Sequence, residues 1–300
     1  MQRLFTFGCS FTNYLWPTWA DLMAVEVPLH FNWGNAGLGN RAIAERVAEA
    51  HARTKFTPDD IVIVQWSSHY RHDWMRTNMP KTDNSSWRTR GSIFTKHNST
   101  IFDDKWINTF WDEKAYYIHT MNNILLTQGL LKSTGCKWMM TSMNDLSKVG
   151  NEISADTMHG EYQLPGSKLY DAMSAGSDIA FYKDAVWTEN ADHWVDPIIE
   201  AQLQSPELSW WFRGDPDDGK QHDRPLTNGY WQEAHPSVEQ YAMWLLELKR
   251  RMGEEPALTI GQRELIKEFN DIKARTDTYL EFEKEVKITA WAKPYACRGF

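Results

Sequence analysis

The stretch Leu4-Phe5-Thr6-Phe7-Gly8-Cys9-Ser10-Phe11-Thr12 lies almost at the N-terminus and decides how the chain is interpreted. Residues 4–7 are an apolar run of strand length, and Gly8 ends it. A helical pattern begins near Pro17, which suits a first helical turn. Ser10 therefore lies between a strand and a helix, at the carboxyl edge where open α/β sheets bind ligands. Its hydroxyl is a candidate nucleophile if a base activates it, whereas a turn of small residues explains Gly-Cys-Ser equally well.

Strands and helices alternate along the chain after this stretch. Residues 28–33 predict a second strand, and residues 41–54 predict a helix rich in alanine and glutamate. The continuous β-branched run at Ile61–Trp66 suits a parallel strand covered on both faces. Lys137–Ser142 fits a fourth strand. This order predicts a right-handed parallel sheet with helices on both faces.

The predicted organisation is one large domain followed by a helical extension. Residues 1–252 form the predicted α/β domain, with long insertions at about 77–104 and 143–230. Residues 259–288 combine many charges with apolar residues at helical spacing. They predict one or two helices packing outside the sheet, within a C-terminal extension at 253–300. This extension is a candidate surface for a protein partner or for self-association.

Composition excludes several classes of function. The chain has 300 residues, of which 42% are hydrophobic, enough for a sizeable core. Its formal net charge of −8 argues against a general affinity for nucleic acid. No apolar run has the length of a membrane span, and no signal peptide is recognisable, so we expect no membrane association and a cytoplasmic location.

The cysteines and histidines give no metal-binding pattern. Cys9, Cys136 and Cys297 are odd in number and lack metal-ligand spacing, so they indicate free thiols in a reducing compartment. His69 and His72 lack a third ligand at fixed spacing and are interpreted as part of a polar loop. We therefore expect neither a metal nor a cofactor.

Tryptophan is the compositional outlier, with 16 residues. Much of it is expected in the core. A share of it is a candidate lining for a groove, because aromatic faces suit flat ligands such as sugar rings.

Two further motifs lie far apart in the sequence. Asn35-Ala36-Gly37-Leu38-Gly39-Asn40 predicts a tight loop whose backbone can approach a ligand. It lacks the spacing of phosphate and dinucleotide loops, and a plain strand-to-helix turn remains the alternative. His235 stands in the loop that opens an amphipathic helix at residues 238–252.

Taken in order, these blocks resemble the SGNH hydrolases, also called the GDSL esterase family. Phe7-Gly8-Cys9-Ser10 resembles the family's first block, residues 35–40 the second, Ser67-Ser68 occupies the place of the third, and His235-Pro236-Ser237 resembles the last. The resemblance covers about residues 1–252. It implies a flavodoxin-like three-layer α/β/α sandwich and the hydrolysis of an acyl ester without a cofactor.

The resemblance also implies roles for individual residues. Ser10 would attack the carbonyl carbon, and His235 would take its proton as general base. The oxyanion would be stabilised by backbone N–H groups of Ser10 and of the Gly39/Asn40 loop, with Ser68 as a side-chain donor. Trp66 and Ser67 are expected to border the substrate.

The sequence departs from the family's pattern at three positions. Cys9 stands where the family has aspartate, and the third block lacks its asparagine. Gln232 stands three residues before the histidine, where the family has aspartate, and a neutral amide cannot stabilise an imidazolium by charge. Either a Ser10–His235 dyad works alone, or a backbone carbonyl or another acid such as Glu233 orients the ring. Cys9 as nucleophile is disfavoured, because no base is adjacent.

The sequence therefore leaves two hypotheses for the function. The first is an SGNH-type serine esterase, for example a deacetylase of a carbohydrate or of another small acyl ester. The alternative is a catalytically impaired protein of the same fold that binds glycans or serves as a structural or assembly component.

Overall fold

The computed structural model describes residues 1–75, 87–94, 99, 101–148, 178–214 and 227–288. Four parallel strands form the central sheet in the order β2-β1-β3-β6. This is the strand order of the flavodoxin-like sheet. In chain order the strands are β1 (Arg3–Phe7), β2 (Leu29–Asn32), β3 (Ile61–Trp66), β4 (Arg71–Met75), β5 (Trp87–Ser92), β6 (Lys137–Ser142), β7 (Trp211–Arg213) and β8 (Tyr230–Gln232).

Helices cover both faces of the sheet, which confirms the predicted α/β/α layering. The crossover from β1 to β2 contains α1 (Trp19–Ala24), and the crossover from β2 past β1 to β3 contains α2 (Asn40–Thr54). Because the two crossovers run in opposite directions across the sheet and are both right-handed, α1 and α2 lie on opposite faces. The helix α4 packs against α2, and α7 packs against α1. The helices are α1 (Trp19–Ala24), α2 (Asn40–Thr54), α3 (Asp104–Phe110), α4 (Glu113–Thr134), α5 (Asp178–Val186), α6 (Ile198–Gln204), α7 (Val238–Arg251), α8 (Ile260–Ala274) and α9 (Tyr279–Ile288).

The central strands agree with the sequence prediction to within a residue or two at each end. The strand β3 is buried along its whole length, as its β-branched run indicates. The carboxyl ends of β1, β2 and β3 point to one edge of the sheet, because these strands are parallel neighbours. Ser10, Asn40 and Ser67 follow these three ends and therefore lie along the same edge.

The N-terminus of α7 is closely defined by its sequence. The Ser237 side chain accepts a hydrogen bond from the Gln240 N–H at 3.2 Å, and the Gln240 side chain accepts one from the Ser237 N–H at 2.9 Å. This reciprocal pair is a capping box. It holds the loop directly before α7, which carries His235.

The two insertions add short elements around this edge. At the first, β4 lies directly before the insertion and forms an antiparallel pair with β5 within it. In the second, α5 and α6 precede β7, which pairs with β8. Residues 76–86, 149–177 and 215–226 of these insertions lie outside the described residues, as do Cys297 and the end of the chain.

The C-terminal helices α8 and α9 confirm the predicted helical extension, but their packing differs from that of a separate appendage. Phe269 and Phe282 are fully buried and belong to the same core as the sheet. The Gln262 side chain donates to the Leu22 carbonyl at 2.9 Å. The apolar faces of the two helices therefore complete the core of residues 1–252.

Among the described helices, none is both long enough and apolar enough to cross a membrane.

Candidate active site

Ser10 and His235 form a hydrogen-bonded pair, although they lie 225 positions apart in sequence. Ser10 Oγ is 2.9 Å from His235 Nε2, which is a hydrogen-bonding distance. Ser10 follows β1 and His235 precedes α7, so the sheet edge and the N-terminus of the last sheet-covering helix bring them together. Ser10 is 7% exposed, so it is nearly buried at this edge of the sheet.

The other ring nitrogen of His235 contacts a carboxylate. His235 Nδ1 lies 2.8 Å from Glu233 Oε1. The same oxygen accepts hydrogen bonds from the backbone N–H groups of Ala234 at 2.9 Å and His235 at 3.2 Å. Glu233 is 4% exposed, so this acid is shielded from water and directed at the imidazole. A carboxylate in this place favours the tautomer whose Nε2 accepts a proton from serine.

The loop that carries Ser10 is held by Gln65 at the end of β3. Gln65 Oε1 accepts the Cys9 N–H at 3.2 Å and the Thr12 hydroxyl at 3.1 Å. Gly8 passes so close to these groups, at a φ of +157°, that a Cβ would meet Thr12 Oγ1 at 2.2 Å. The Cys9 thiol is fully buried and faces Gln65 Oε1 at 3.4 Å. This burial is consistent with a structural role for Cys9.

Aromatic rings surround the His235 imidazole. The Tyr14 ring stacks on it, with 3.7 Å between ring centroids and 19° between the planes. Phe11 lies 5.1 Å and Trp16 6.1 Å from the same ring. Burial, together with the nearby Glu233 carboxylate, raises the pKa of Tyr14 well above its usual value. Tyr14 is therefore a neutral phenol near neutral pH.

The Gly39 N–H has a different partner from the expected oxyanion. It donates to Asp73 Oδ1 at 2.9 Å, and the Ala42 N–H donates to Asp73 Oδ2 at 3.2 Å. Asp73 thus caps α2 from the neighbouring strand β4. Burial raises the pKa of Asp73, although these two hydrogen bonds act in the opposite direction. The Gly39 N–H is therefore engaged in this structure, which departs from its predicted role.

The Asn40 side chain fastens the end of β3 to the start of α2. Its Oδ1 accepts the Ser67 N–H at 2.7 Å, and its Nδ2 donates to the Ser67 carbonyl at 2.9 Å. Ser67 is fully buried in this contact, so its expected place at the substrate border is not supported. The buried Ser68 hydroxyl has no hydrogen-bond partner among the described residues.

Two predicted site residues point elsewhere. Trp66 is fully buried, and its indole N–H lies 3.4 Å from Met140 Sδ, so the expectation that it borders the substrate is wrong. The cause is the position of Trp66 within the all-buried strand β3. Gln232 belongs to β8 and pairs with Trp211, whereas the acid that orients His235 is Glu233.

A cavity of about 660 Å³ opens beside α2, on the α4 face of the sheet. Neither Ser10 nor His235 lines it. Asn40 contributes to its wall and connects it to Ser67 at the sheet edge. The exposed ring of Phe110 stands at this cavity beside Trp106, with 5.7 Å between the ring centroids. Other lining residues are His69, Arg71, Asp73 and Tyr116.

No cluster of three histidine, cysteine, aspartate or glutamate side chains suited to a metal occurs among the described residues. His69 lies in the turn after β3, as the polar-loop interpretation expects, whereas His72 lies within β4. His72 Nδ1 lies 2.7 Å from the Tyr116 hydroxyl, and His69 Nε2 lies 3.7 Å from Glu113. Burial lowers the pKa of His72, which favours the neutral ring.

No protein-family profile and no curated protein matches this sequence. Among solved structures, the chain is similar to a member of the lipolytic protein G-D-S-L family from Veillonella parvula, at 12% identity and a TM-score of 0.40, over 83% of this chain and 97% of the other. It is also similar to a GDSL-like lipase from Bacteroides thetaiotaomicron, at 12% identity and a TM-score of 0.39. This match covers 84% of this chain and 87% of the lipase chain.

Sequence reasoning did not single out Tyr14, Gln65 or Asp73. Tyr14 lies just after the stretch at residues 4–12, and Gln65 lies within the strand that precedes Ser67. Neither residue belongs to a sequence motif that would indicate a function. Asp73 carries no signal of its own in the sequence, because its capping of α2 depends on a contact with Gly39, 34 positions away.

Proposed function

We propose that this chain is an SGNH-type serine hydrolase that cleaves a small acyl ester. The observation that carries the proposal is the continuous relay from Ser10 Oγ to His235 Nε2, at 2.9 Å, and from His235 Nδ1 to Glu233 Oε1, at 2.8 Å. A buried carboxylate, an imidazole and a serine hydroxyl in this order are the parts needed to activate serine as a nucleophile.

The proposed reaction proceeds by acyl transfer in two stages. His235 Nε2 takes the Ser10 proton as Oγ bonds to the carbonyl carbon, and the carbonyl electron pair moves onto oxygen. The tetrahedral intermediate collapses as the imidazolium gives its proton to the leaving alcohol, which leaves an acyl-serine. Water, activated by the same imidazole, then releases the carboxylic acid. Glu233 stabilises the imidazolium in both stages.

The developing oxyanion needs donors other than the Gly39 N–H. The Ser10 and Asn40 N–H groups have no hydrogen-bond partner among the described residues, and the Ser68 hydroxyl is unpartnered as well. These three groups follow β1, β2 and β3 at the same sheet edge. They are the donors we assign to the oxyanion.

The preferred ester is one whose alcohol part carries a sugar ring. Support comes from the cavity beside α2, whose volume of about 660 Å³ suits a small ligand and whose wall includes Trp106 and Phe110. Aromatic faces of this kind stack against sugar rings. Phe110→Ala is a clean probe, because Phe110 is 63% exposed. We expect it to raise KM for an acetylated sugar while leaving hydrolysis of nitrophenyl acetate unchanged.

The decisive experiment measures hydrolysis of short-chain nitrophenyl esters by the wild type, Ser10→Ala and His235→Ala. Each variant should lose at least about 10³-fold in kcat/KM if Ser10 is the nucleophile. Labelling of Ser10 by a fluorophosphonate, located by mass spectrometry, tests the nucleophile without a choice of ester. Hydrolysis that persists in Ser10→Ala, or no labelling and no hydrolysis in the wild type, would refute the proposal.

A second function is favoured by one observation. Asp73 occupies the Gly39 N–H, so one predicted oxyanion donor is already engaged. A protein of this fold with an impaired oxyanion site would bind a glycan ester without cleaving it. Binding of an acetylated sugar by wild type and Ser10→Ala alike, with no turnover in either, would support this function.

A further inference from the structure

We propose that α9 belongs to the catalytic apparatus, and that Tyr14 and Tyr279 are positioning residues that hold the His235 imidazole for proton transfer. This inference rests on the proposed hydrolase function. It assigns a role to the C-terminal helices, which the sequence pattern predicts to pack outside the sheet.

The first step of the argument is the contact between Tyr14 and His235. Their rings stack at 3.7 Å between centroids, closer than any other aromatic contact of His235 among the described residues. The stack fixes the plane of the imidazole, whose two nitrogens must reach Ser10 and Glu233 at once. The electron-rich face of Tyr14 also favours the charged imidazolium over the neutral ring.

The second step is the contact between Tyr14 and α9. The Tyr14 and Tyr279 hydroxyl oxygens lie 3.3 Å apart and form a hydrogen bond. The Tyr279 ring packs against Phe212 at 5.3 Å and Trp231 at 5.8 Å, which places it on the β7–β8 pair. Tyr279 therefore ties the loop after Ser10 to the first turn of α9.

The third step is the anchoring of α9 itself. Phe282 is fully buried against Trp16 at 5.8 Å and Trp210 at 5.1 Å. The Trp16 indole N–H donates to the Pro236 carbonyl at 3.0 Å, directly beside His235. The same helix thus supports both the ring that stacks on His235 and the indole that holds the next residue.

The charged and titratable groups that face His235 are few. Among the described residues they are Glu233, at 2.8 Å from Nδ1, Tyr14, with Tyr279 behind it, and the buried Tyr241 of α7, which interacts electrostatically with Glu233 and Tyr14. Burial raises the pKa of Tyr279 to about 12, so the phenols of Tyr14 and Tyr279 are neutral across the pH range in which an imidazole titrates. Substitution of Tyr14 therefore removes a neutral ring from the face of the imidazole and no charge.

The experiment compares Tyr14→Phe, Tyr14→Leu and Tyr279→Phe with the wild type. The His235 ring protons are observed by NMR, which needs no substrate, and kcat and KM are measured with a nitrophenyl ester. Tyr14→Phe keeps the stack and should keep the upfield-shifted ring-proton resonances that a stacked aromatic face produces. Tyr14→Leu should lose this upfield shift and lower kcat about tenfold, with KM unchanged. Tyr279→Phe should lower kcat by about two- to fivefold, because Tyr14 loses its tether.

The matched control is Tyr230→Phe. The Tyr230 hydroxyl donates to Asp277 Oδ1 at 3.0 Å, next to the same helix, but Tyr230 is exposed and makes no contact with His235. It should leave the His235 ring-proton resonances and kcat unchanged. The inference is overturned if the His235 resonances of Tyr14→Leu match those of the wild type, or if Tyr230→Phe has the same effect as Tyr279→Phe. If the wild type hydrolyses no ester, the hydrolase proposal fails by itself, and the His235 resonances still decide whether Tyr14 holds the ring.

Discussion

Glu233 Oε1 lies 2.8 Å from His235 Nδ1, although only one residue separates the two in sequence. The carboxylate is also bound by the backbone N–H groups of Ala234 and His235. The acid and the base therefore come from one short loop. This arrangement supplies the negative charge that a glutamine at position 232 cannot supply.

The charge of Glu233 is expected to be essential for turnover. Glu233→Gln keeps the size of the side chain but no longer stabilises the imidazolium, so kcat should fall by about 10²- to 10⁴-fold. The control Gln232→Asn should stay within about threefold of the wild type, because Gln232 lies in β8 and does not orient His235. For the same reason Gln232→Asp should bring no gain. The measurement is kcat for ester hydrolysis by the purified variants. A Glu233→Gln variant with the kcat of the wild type would show that the charge of Glu233 is not needed for catalysis.

Gly8 is expected to tolerate no side chain. A Cβ at Gly8 would meet Thr12 Oγ1 at 2.2 Å and Gln65 Oε1 at 2.6 Å, and the φ of +157° is itself unfavourable for other residues. Gly8→Ala should lower the free energy of unfolding by about 1–3 kcal/mol and displace Ser10. Gly129→Ala in α4 is the control, since its Cβ would meet nothing within 4 Å and alanine favours helix. Equal urea midpoints for the two variants would contradict this account.

The Arg3–Asp60 ion pair predicts a loss of stability in acid. Burial alone would raise the pKa of Asp60, but hydrogen bonds from Arg3 and Thr57 outweigh it and hold the pKa below its usual value. A lowered folded-state pKa means that the stabilisation is present above the unfolded value of about 3.9 and disappears as pH falls through the folded value. Asp60→Asn should cost about 1–3 kcal/mol at pH 7 and much less near pH 3.

Urea unfolding at both pH values measures this difference. The exposed Arg53–Glu49 pair on α2 is the control, and Glu49→Gln should cost less than about 0.5 kcal/mol at either pH. A penalty for Asp60→Asn that is unchanged in acid would show that ionisation of Asp60 is not its source.

The helix α9 is expected to be required for folding. Phe282 is fully buried among aromatic rings of the sheet domain, whereas Leu280 on the same helix is 40% exposed. Phe282→Ala should cost about 3–5 kcal/mol, and Leu280→Ala less than about 1 kcal/mol. Truncation after Met252 should therefore abolish cooperative unfolding, as followed by circular dichroism. A truncated chain that still unfolds in a sharp thermal transition would show that α8 and α9 are not required for folding.

Much of the fold could be predicted because its signals are local. The β-branched run of β3 can be buried on both faces only as an inner strand, and the alternation of strands and helices permits few topologies. Ser10 could be placed at the carboxyl edge of the sheet because it directly follows β1, whereas His235 follows β8, which lies outside the parallel sheet. The resemblance in the order of the blocks indicated which loops to compare.

The other contacts of the candidate site could not be predicted, because no spacing in the sequence indicates them. Gln232 and Glu233 are adjacent, and only the direction of each side chain in the loop before α7 decides which one reaches His235. Trp66 ends its strand but is directed into the core. Asp73 reaches the Gly39 N–H from a strand 34 positions away.

The sequence by itself determined the parallel sheet, its helical layers and the edge that carries Ser10, since hydrophobic periodicity and strand direction are properties of short segments. The tertiary structure decided that Glu233 orients the base, that Tyr14 stacks on it and that α9 supports Tyr14. The physical reason is that these contacts need side chains from distant segments at separations of 3–4 Å, and such distances are set by how the whole core packs.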